Sequence, residues 1–183
     1  MDDFLKALFD DGEPMEMDAG AYLFHAGDPV RFVHLVENGG IHLERTQISG
    51  QVTCFQRARP GDILAEASIY AVAYHCDAKV VEPARLRKLR VERLMETLEV
   101  DPETSIAWAT HLARTVQTTR LLAEIRGLKT VRQRLDAWID HGGALPAKGH
   151  WQTLAQELAV TPEALYREIA QRRSVGLSKN RKS

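Results

Sequence analysis

At 183 residues the chain has room for one large or two small domains, and its 44% hydrophobic and 27% charged residues are those of an ordinary globular protein. No run of 18 apolar residues occurs, which excludes a membrane-spanning helix. The start, MDDFLKALFDDGE, is acidic where a secretory leader is basic and then apolar, so a cytoplasmic location is expected. The net charge of −1 hides an asymmetry. Residues 1–40 carry nine acidic side chains against Lys6 and Arg31, whereas residues 166–183 carry Arg167, Arg172, Arg173, Lys179, Arg181 and Lys182 against Glu168 alone. A basic end of this kind reads either as a polyanion-binding face or as a solvated tail.

Residues 2–9, DDFLKALF, predict a short amphipathic helix with Phe4, Leu5, Leu8 and Phe9 on one side. From about 15 to 92 the texture changes to short apolar or alternating runs, broken by glycines at 20, 27, 39, 40, 50 and 61. That pattern predicts many short strands in a sandwich or barrel, with a tight turn at each glycine. IHLERTQISGQVTCFQ predicts a hairpin around Ser49-Gly50, VVEPARLRKLR a late strand, and VERLMETLE a helix. Asp101-Pro102-Glu103 is a helix-start signal, and the helix it opens runs to about Arg126 without an internal Gly or Pro. Along it Ala109, Leu112, Val116, Thr119 and Ala123 recur at steps of three and four and form one stripe. Such a stripe packs on its own domain or forms a homodimer seam. Gly127 ends or kinks this helix. LKTVRQRLDAWIDHGG predicts another, with Leu128, Val131, Leu135, Trp138 and Ile139 inward, stopped by Gly142-Gly143.

The last segment, WQTLAQELAVTPEALYREIAQRR, divides into two short helices around Ala159-Val160-Thr161. Leu154, Ala155 and Leu158 of the first and Leu165 and Ile169 of the second form the inward set. Thr161 is placed to cap the second helix, and Pro162 sits at its first position, where a missing N–H costs nothing. This is the pattern of a helix-turn-helix, whose second helix enters the DNA major groove. Glu163, Ala164, Tyr166, Arg167 and Gln171 face outward. Arg167 suits guanine, Glu163 suits cytosine, and Thr153 and Gln152 at the start of the first helix suit phosphate. The bland alternative is a plain helical hairpin with Glu163 and Arg167 as a surface ion pair.

In this order and spacing the chain resembles the Crp/Fnr family of bacterial transcription regulators over nearly its whole length. HAGDP, the Gly39-Gly40 turn, and the Gly61-Asp62 turn followed by Glu66 resemble the family's cyclic-nucleotide-binding β-roll; VTPEALYREIAQ resembles its recognition helix. The resemblance implies an α+β chain: a β-roll or jelly-roll sensor domain (1–100), a dimerisation helix (101–127) and a helix-turn-helix domain (128–183). It implies a homodimer, double-stranded DNA with two half-sites as partner, and RNA polymerase as a further one. It implies DNA contacts through Arg167, Glu163, Tyr166, Thr161, Thr153 and Gln152, and a dimer interface through Ala109, Leu112, Val116, Thr119 and Ala123.

Two departures stand against the pattern. The effector pocket falls on Ala65, Glu66, Ala67, Cys76 and Asp77, within AEASIYAVAYHCDA. Ala65 replaces the family's glycine, Cys76 its phosphate-binding arginine, and Asp77 its serine or threonine. A cyclic phosphate would lose its cation and meet a carboxylate, so cyclic AMP is expected to bind weakly or not at all. The effector is left open: a small molecule, or a haem or redox role through His75 or Cys76, with Cys76 as a buried filler the simpler alternative. No cysteine precedes Cys54, so the family's iron–sulfur cluster is not expected. His25, His34, His42, His111, His141 and His150 show no metal-ligand spacing. The second departure is at the end, where Arg172 stands at a usually apolar position and RSVGLSKNRKS provides at most a stub of a wing. A ligand-binding or interaction module with a decayed DNA domain is therefore a second reading. With no nucleophile–base pair and no phosphate-binding glycine loop, an enzyme is not expected.

Overall fold

The structure, a computed structural model, describes residues 3–147 and 151–179. Arg181, Lys182 and His150 lie outside these residues, as does part of the loop ALPAKGH. The chain divides into two compact units, Met1–Ala113 and Arg114–Ser183. The division falls inside the long helix, so the first half of that helix belongs to the first unit and the second half to the other.

The first unit begins with α1 (Asp3–Asp10) and holds one antiparallel sheet. Its strands are β1 (Glu13–Met17), β2 (Tyr22–Phe24), β3 (Phe32–Thr46), β4 (Val52–Ala58), β5 (Ile63–Leu64) and β6 (Asp77–Arg90). The order is β1-β6-β3-β4, with β2 also on β6 and β5 also on β3. The expected hairpin is β3–β4, and the Gln47 and Gly50 amides close its tip onto the carbonyls of Gln51 and Gln47. The expected turn at Gly39-Gly40 is absent. Both glycines lie inside β3, which is one strand of 15 residues. Gly39 is there because of a close approach: a Cβ at this position would come within 2.3 Å of the Pro83 carbonyl oxygen. Its φ of +85° is also one that a side chain disfavours. The β3–β6 register shifts at Val36/Asn38, Asn38/Gly40 and Gly40/Ile41, and such bulges increase the local twist that curls a sheet.

Alternation along β3 splits its apolar residues between two cores. Val36, Ile41 and Leu43 face the inside of the roll with Phe24, Leu64, Tyr74, Cys76, Val80 and Leu86. Val33 and Leu35 face the other way, onto α1, α2 (Val91–Val100) and the start of α3 (Pro102–Gly127). Leu5 and Phe9 of α1 are fully buried in this second core, as the helical spacing predicts. Asp101 opens α3 by accepting the Glu103 amide (3.1 Å) and the Thr104 hydroxyl (2.6 Å). Leu112 packs against this core within its own unit, whereas Ala109, Val116, Thr119 and Ala123 are exposed.

The second unit packs the end of α3 with α4 (Val131–Asp140), α5 (Trp151–Glu157) and α6 (Pro162–Lys179) around Ile125, Leu135, Leu154, Ala155, Leu158, Leu165 and Ile169. Thr130 and Gln133 cap α4 reciprocally at 3.2 Å each way. Ile139, expected inward, is exposed on α4. It directly follows Trp138, and its place around the helix carries it off the stripe set by Val131, Leu135 and Trp138. Gly143 is required where it stands, since a Cβ would overlap the Trp138 ring at 2.3 Å.

Candidate functional site

In the first unit the Gly61-Asp62 turn is formed as expected. Gly61 has φ +97°, its amide donates to the Val36 carbonyl (2.8 Å), and the Asp62 carboxylate accepts the Arg59 amide (2.9 Å). The turn feeds β5 and then Ala65, which is held in the left-handed region at φ 69°. Ala65 thus carries a side chain in a backbone region that favours glycine. Glu66 opens a 3-10 turn (Glu66–Ser68) and is buried, with 6% exposure. Burial, reinforced by the nearby Asp62 charge, pushes its carboxyl up to about 7. Ala67 faces solvent.

Cys76 is closed inside the roll at 2% exposure, and burial pushes its thiol up to about 11. That is the opposite of a reactive thiolate, and Cys76 packs as a small apolar residue. Asp77 is turned to a structural task. Its Oδ1 accepts the Ala26 amide (2.9 Å) and faces His25 Nδ1 (3.3 Å), bracing the HAGDP loop. The same loop is fastened by Gly27 N–H to the Tyr74 carbonyl (2.8 Å) and Tyr74 N–H to the Asp28 carbonyl (2.9 Å). The carboxylate expected to repel a phosphate is therefore already engaged by a donor. The His75 ring stacks near Phe55 (centroids 6.0 Å) and stands 3.5 Å from Ser68 Oγ.

Two side chains at this unit's core and rim carried no sequence signal of their own. Arg45 donates Nε and Nη2 to the His75 carbonyl at 3.2 and 3.0 Å. His34 is buried on β3 with no hydrogen-bond partner for Nδ1, and burial pulls its pKa down to about 4. The alternation Ile41, Leu43, Arg45 could have singled out the first; nothing short of the packing around Phe24 and Phe32 marks the second. A separate cavity of about 270 Å³ lies among α1, β6, α2 and the start of α3, lined by Leu8, Asp11, Leu89, Arg93, Thr97 and Asp101 among others.

In the second unit Thr161 Oγ1 accepts the Ala164 amide (3.2 Å), so the expected cap on α6 is made. The turn before it holds Ala159 at φ 52°. The carbonyls that α5 leaves free are taken by arginines: Arg126 bonds Glu157 (2.9 Å), and Arg134 bonds Leu158 (3.0 Å) and Ala159 (2.7 Å). Glu163, Tyr166 and Arg167 are exposed on α6, and among the described residues no ion pair joins Glu163 to Arg167. Gln152 is exposed and Thr153 half-buried at the start of α5. Tyr166 leans on Trp151 (centroids 5.5 Å), and Arg173 covers the other ring of that pair at 5.1 Å.

Arg172 is not part of a free basic tail. Its Nε bonds the nearly buried Glu168 (2.9 Å), and its Nη2 bonds Asp136 (2.8 Å) on α4. Arg132 reaches the same Glu168 oxygen at 3.3 Å. An arginine at a usually apolar position is thus accommodated by a carboxylate one turn earlier and another on a neighbouring helix. Beyond Arg172, α6 continues as helix to Lys179.

The family model of the cyclic nucleotide-binding domain matches residues 14–101, slightly under half of the chain. Likeness to solved structures extends further. FixK2 from Bradyrhizobium japonicum gives a TM-score of 0.69 at 16% identity, over 90% of this chain and 86% of that one. The c-di-GMP-responsive global regulator CLP from Xanthomonas campestris gives 0.62 at 16% identity, over 96% and 93%. The catabolite activator protein of Thermus thermophilus gives 0.56 at 20% identity, over 96% and 85%. At such identities the likeness is one of fold. No curated protein matches the chain. No helix among the described residues is long and apolar enough to cross a membrane.

Proposed function

We propose that the chain is a sequence-specific, DNA-binding transcription regulator of the Crp/Fnr type, a homodimer that answers to a small effector other than cyclic AMP. The observation that carries this reading is the outer face of α6, where Glu163, Tyr166 and Arg167 are exposed on a helix entered through a capped and arginine-braced turn. In a major groove Arg167 donates two hydrogen bonds to guanine O6 and N7, and Glu163 accepts from cytosine N4. Thr153, Gln152 and the Thr161 end of α6 meet phosphate, which sets position rather than sequence. The exposed stripe of Ala109, Val116, Thr119 and Ala123 forms the seam with a second copy. Two recognition helices then meet half-sites roughly 34 Å apart, and the effector acts by biasing their spacing. RNA polymerase is the downstream partner, and the chain itself has no catalytic role.

Selection of bound duplexes from a random pool, followed by gel retardation at two salt concentrations, tests the reading. Arg167→Ala is expected to weaken the best site about tenfold to a hundredfold and to relax its preference at one base pair. Unchanged affinity and preference would remove Arg167 from the interface. One feature favours the second reading, a ligand-binding module without DNA output: α6 runs on as helix to Lys179 where a wing is expected. Absence of any retardation at low salt would select it.

A further inference from the structure

The residues at 76 and 77 remove the cation that a phosphate would meet, and the fold returns one from another strand. Arg45 follows Leu43 on β3, just past the last β3–β6 pair, Glu44 with Asp77. Its guanidinium is fixed beside the segment 65–77, the cassette, by the two hydrogen bonds to the His75 carbonyl. An arginine has five N–H donors, so those bonds leave others for a ligand. Among the described residues no ion pair engages it. Its charge reaches the cassette, where it opposes the upward push on the Cys76 thiol.

Beside it the sheet presents an aromatic face. The β3–β4 register slips between Leu43 and Glu44, with Gln56 opposite the first and Cys54 opposite the second, so Phe55 is the extra residue of a bulge. Its ring is 41% exposed, lies 5.8 Å from the Arg45 guanidinium carbon, and meets the His75 ring at 6.0 Å and 22°. The one carboxylate that the sequence sets against an anion, Asp77, is drawn off by the Ala26 amide.

We propose that Arg45, Phe55 and His75 are the ligand-reading face of the effector pocket, and that it takes an organic oxyanion carried on a flat unsaturated ring. The planar guanidinium matches an oxyanion in two-point geometry, and the ring lies against Phe55 and His75. This rests on reading the first unit as the effector domain.

The test uses the full chain and two fluorescent probes of similar shape: 1-anilinonaphthalene-8-sulfonate, which is anionic, and N-phenyl-1-naphthylamine, which is neutral. The sulfonate is expected to bind saturably. Arg45→Gln is expected to weaken it about tenfold or more, the loss of one charge-assisted contact, and to leave the neutral probe unchanged. Phe55→Leu leaves the Arg45–His75 bonds in place and is expected to weaken both probes. Sulfonate binding that ignores Arg45→Gln, or that ignores Phe55→Leu, overturns the proposal. DNA retardation by the same preparations reports separately on the regulator reading: Arg45-dependent probe binding without retardation removes that reading and keeps the pocket, and the reverse result does the opposite.

Discussion

The two units treat their ionisable side chains in opposite ways. At the cassette of the first unit they are folded inward or tied to backbone: Glu66 and Cys76 are buried, and Asp77 holds the Ala26 amide. On the outer face of α6 Glu163 and Arg167 stay in solvent, and the bracing falls to Arg126, Arg134 and Arg172 instead. A buried carboxyl responds to pH through the fold. An exposed one on a helix shapes what that helix can touch. The same description in sequence, a polar residue at a site position, has two physical outcomes, and distant partners decide between them.

The largest effect lies within the first unit and is read by pH. The Glu66 carboxyl is raised from 4.5 to about 7, so its contribution to stability is present below about 4.5 and is lost as pH rises to about 7. The His34 ring is lowered from 6.5 to about 4, so its contribution is present above about 6.5 and is lost as pH falls to about 4. Each is worth on the order of 3 kcal/mol across its window, with opposite sign. The two nearly cancel between pH 4.5 and 6.5. Glu66→Gln should therefore unmask a fall in denaturation midpoint on acidification that is shallower in the parent chain. Equal slopes in both proteins would mean that Glu66 is solvated.

Next in size is the ionic clasp of the second unit. Arg172→Met removes the contacts to Glu168 and Asp136 and leaves a nearly buried carboxylate with Arg132 alone. A loss of about 2 kcal/mol is expected, below the range for a fully buried pair because Arg172 keeps 29% exposure. Equilibrium denaturation by urea measures it. A stability gain would show that the apolar residue usual at this position packs better here too.

The smallest effect applies one substitution to both units. Among the described residues, Ala65 and Ala159 are the two non-glycine residues with positive φ. Ala159 is exposed, so Ala159→Gly relieves strain and is expected to stabilise by about 0.5–1 kcal/mol after the glycine's entropy cost. Ala65 is 5% exposed, and removing its methyl loses packing that offsets the relief, so Ala65→Gly should be close to neutral. Matching shifts in melting temperature at both positions would contradict the difference in packing.

Local signals were the legible part. The Ser49-Gly50 hairpin, the Asp101-Pro102 helix start and the Thr161-Pro162 cap depend on neighbours a few residues away, and each forms as the sequence predicts. At Gly39 the sequence predicts a turn, the ordinary reason for a glycine, whereas its cause here is Pro83, far along the chain. The charge count places Arg172 in the basic end and cannot show its structural task, because its partner Asp136 belongs to another helix. For Cys76 and Asp77 the sequence offers only a position along the chain; burial and the Ala26 contact, which decide what they do, exist only once the sheet is closed. Arg45 carries no local signal for the same reason: its meaning comes from His75, 30 residues further along the chain.

The Gly39–Pro83 approach carries one more consequence. The two backbones lie so close there that a residue with a Cβ has no room at position 39. A slip of one residue would turn every inward side chain of β3 outward, exchanging the roll's contents with those facing the helices. The glycine thus works as an alignment mark: it makes the offset of the two longest strands a matter of hard contact, and with it the positions at which Leu64, Glu66 and Cys76 arrive.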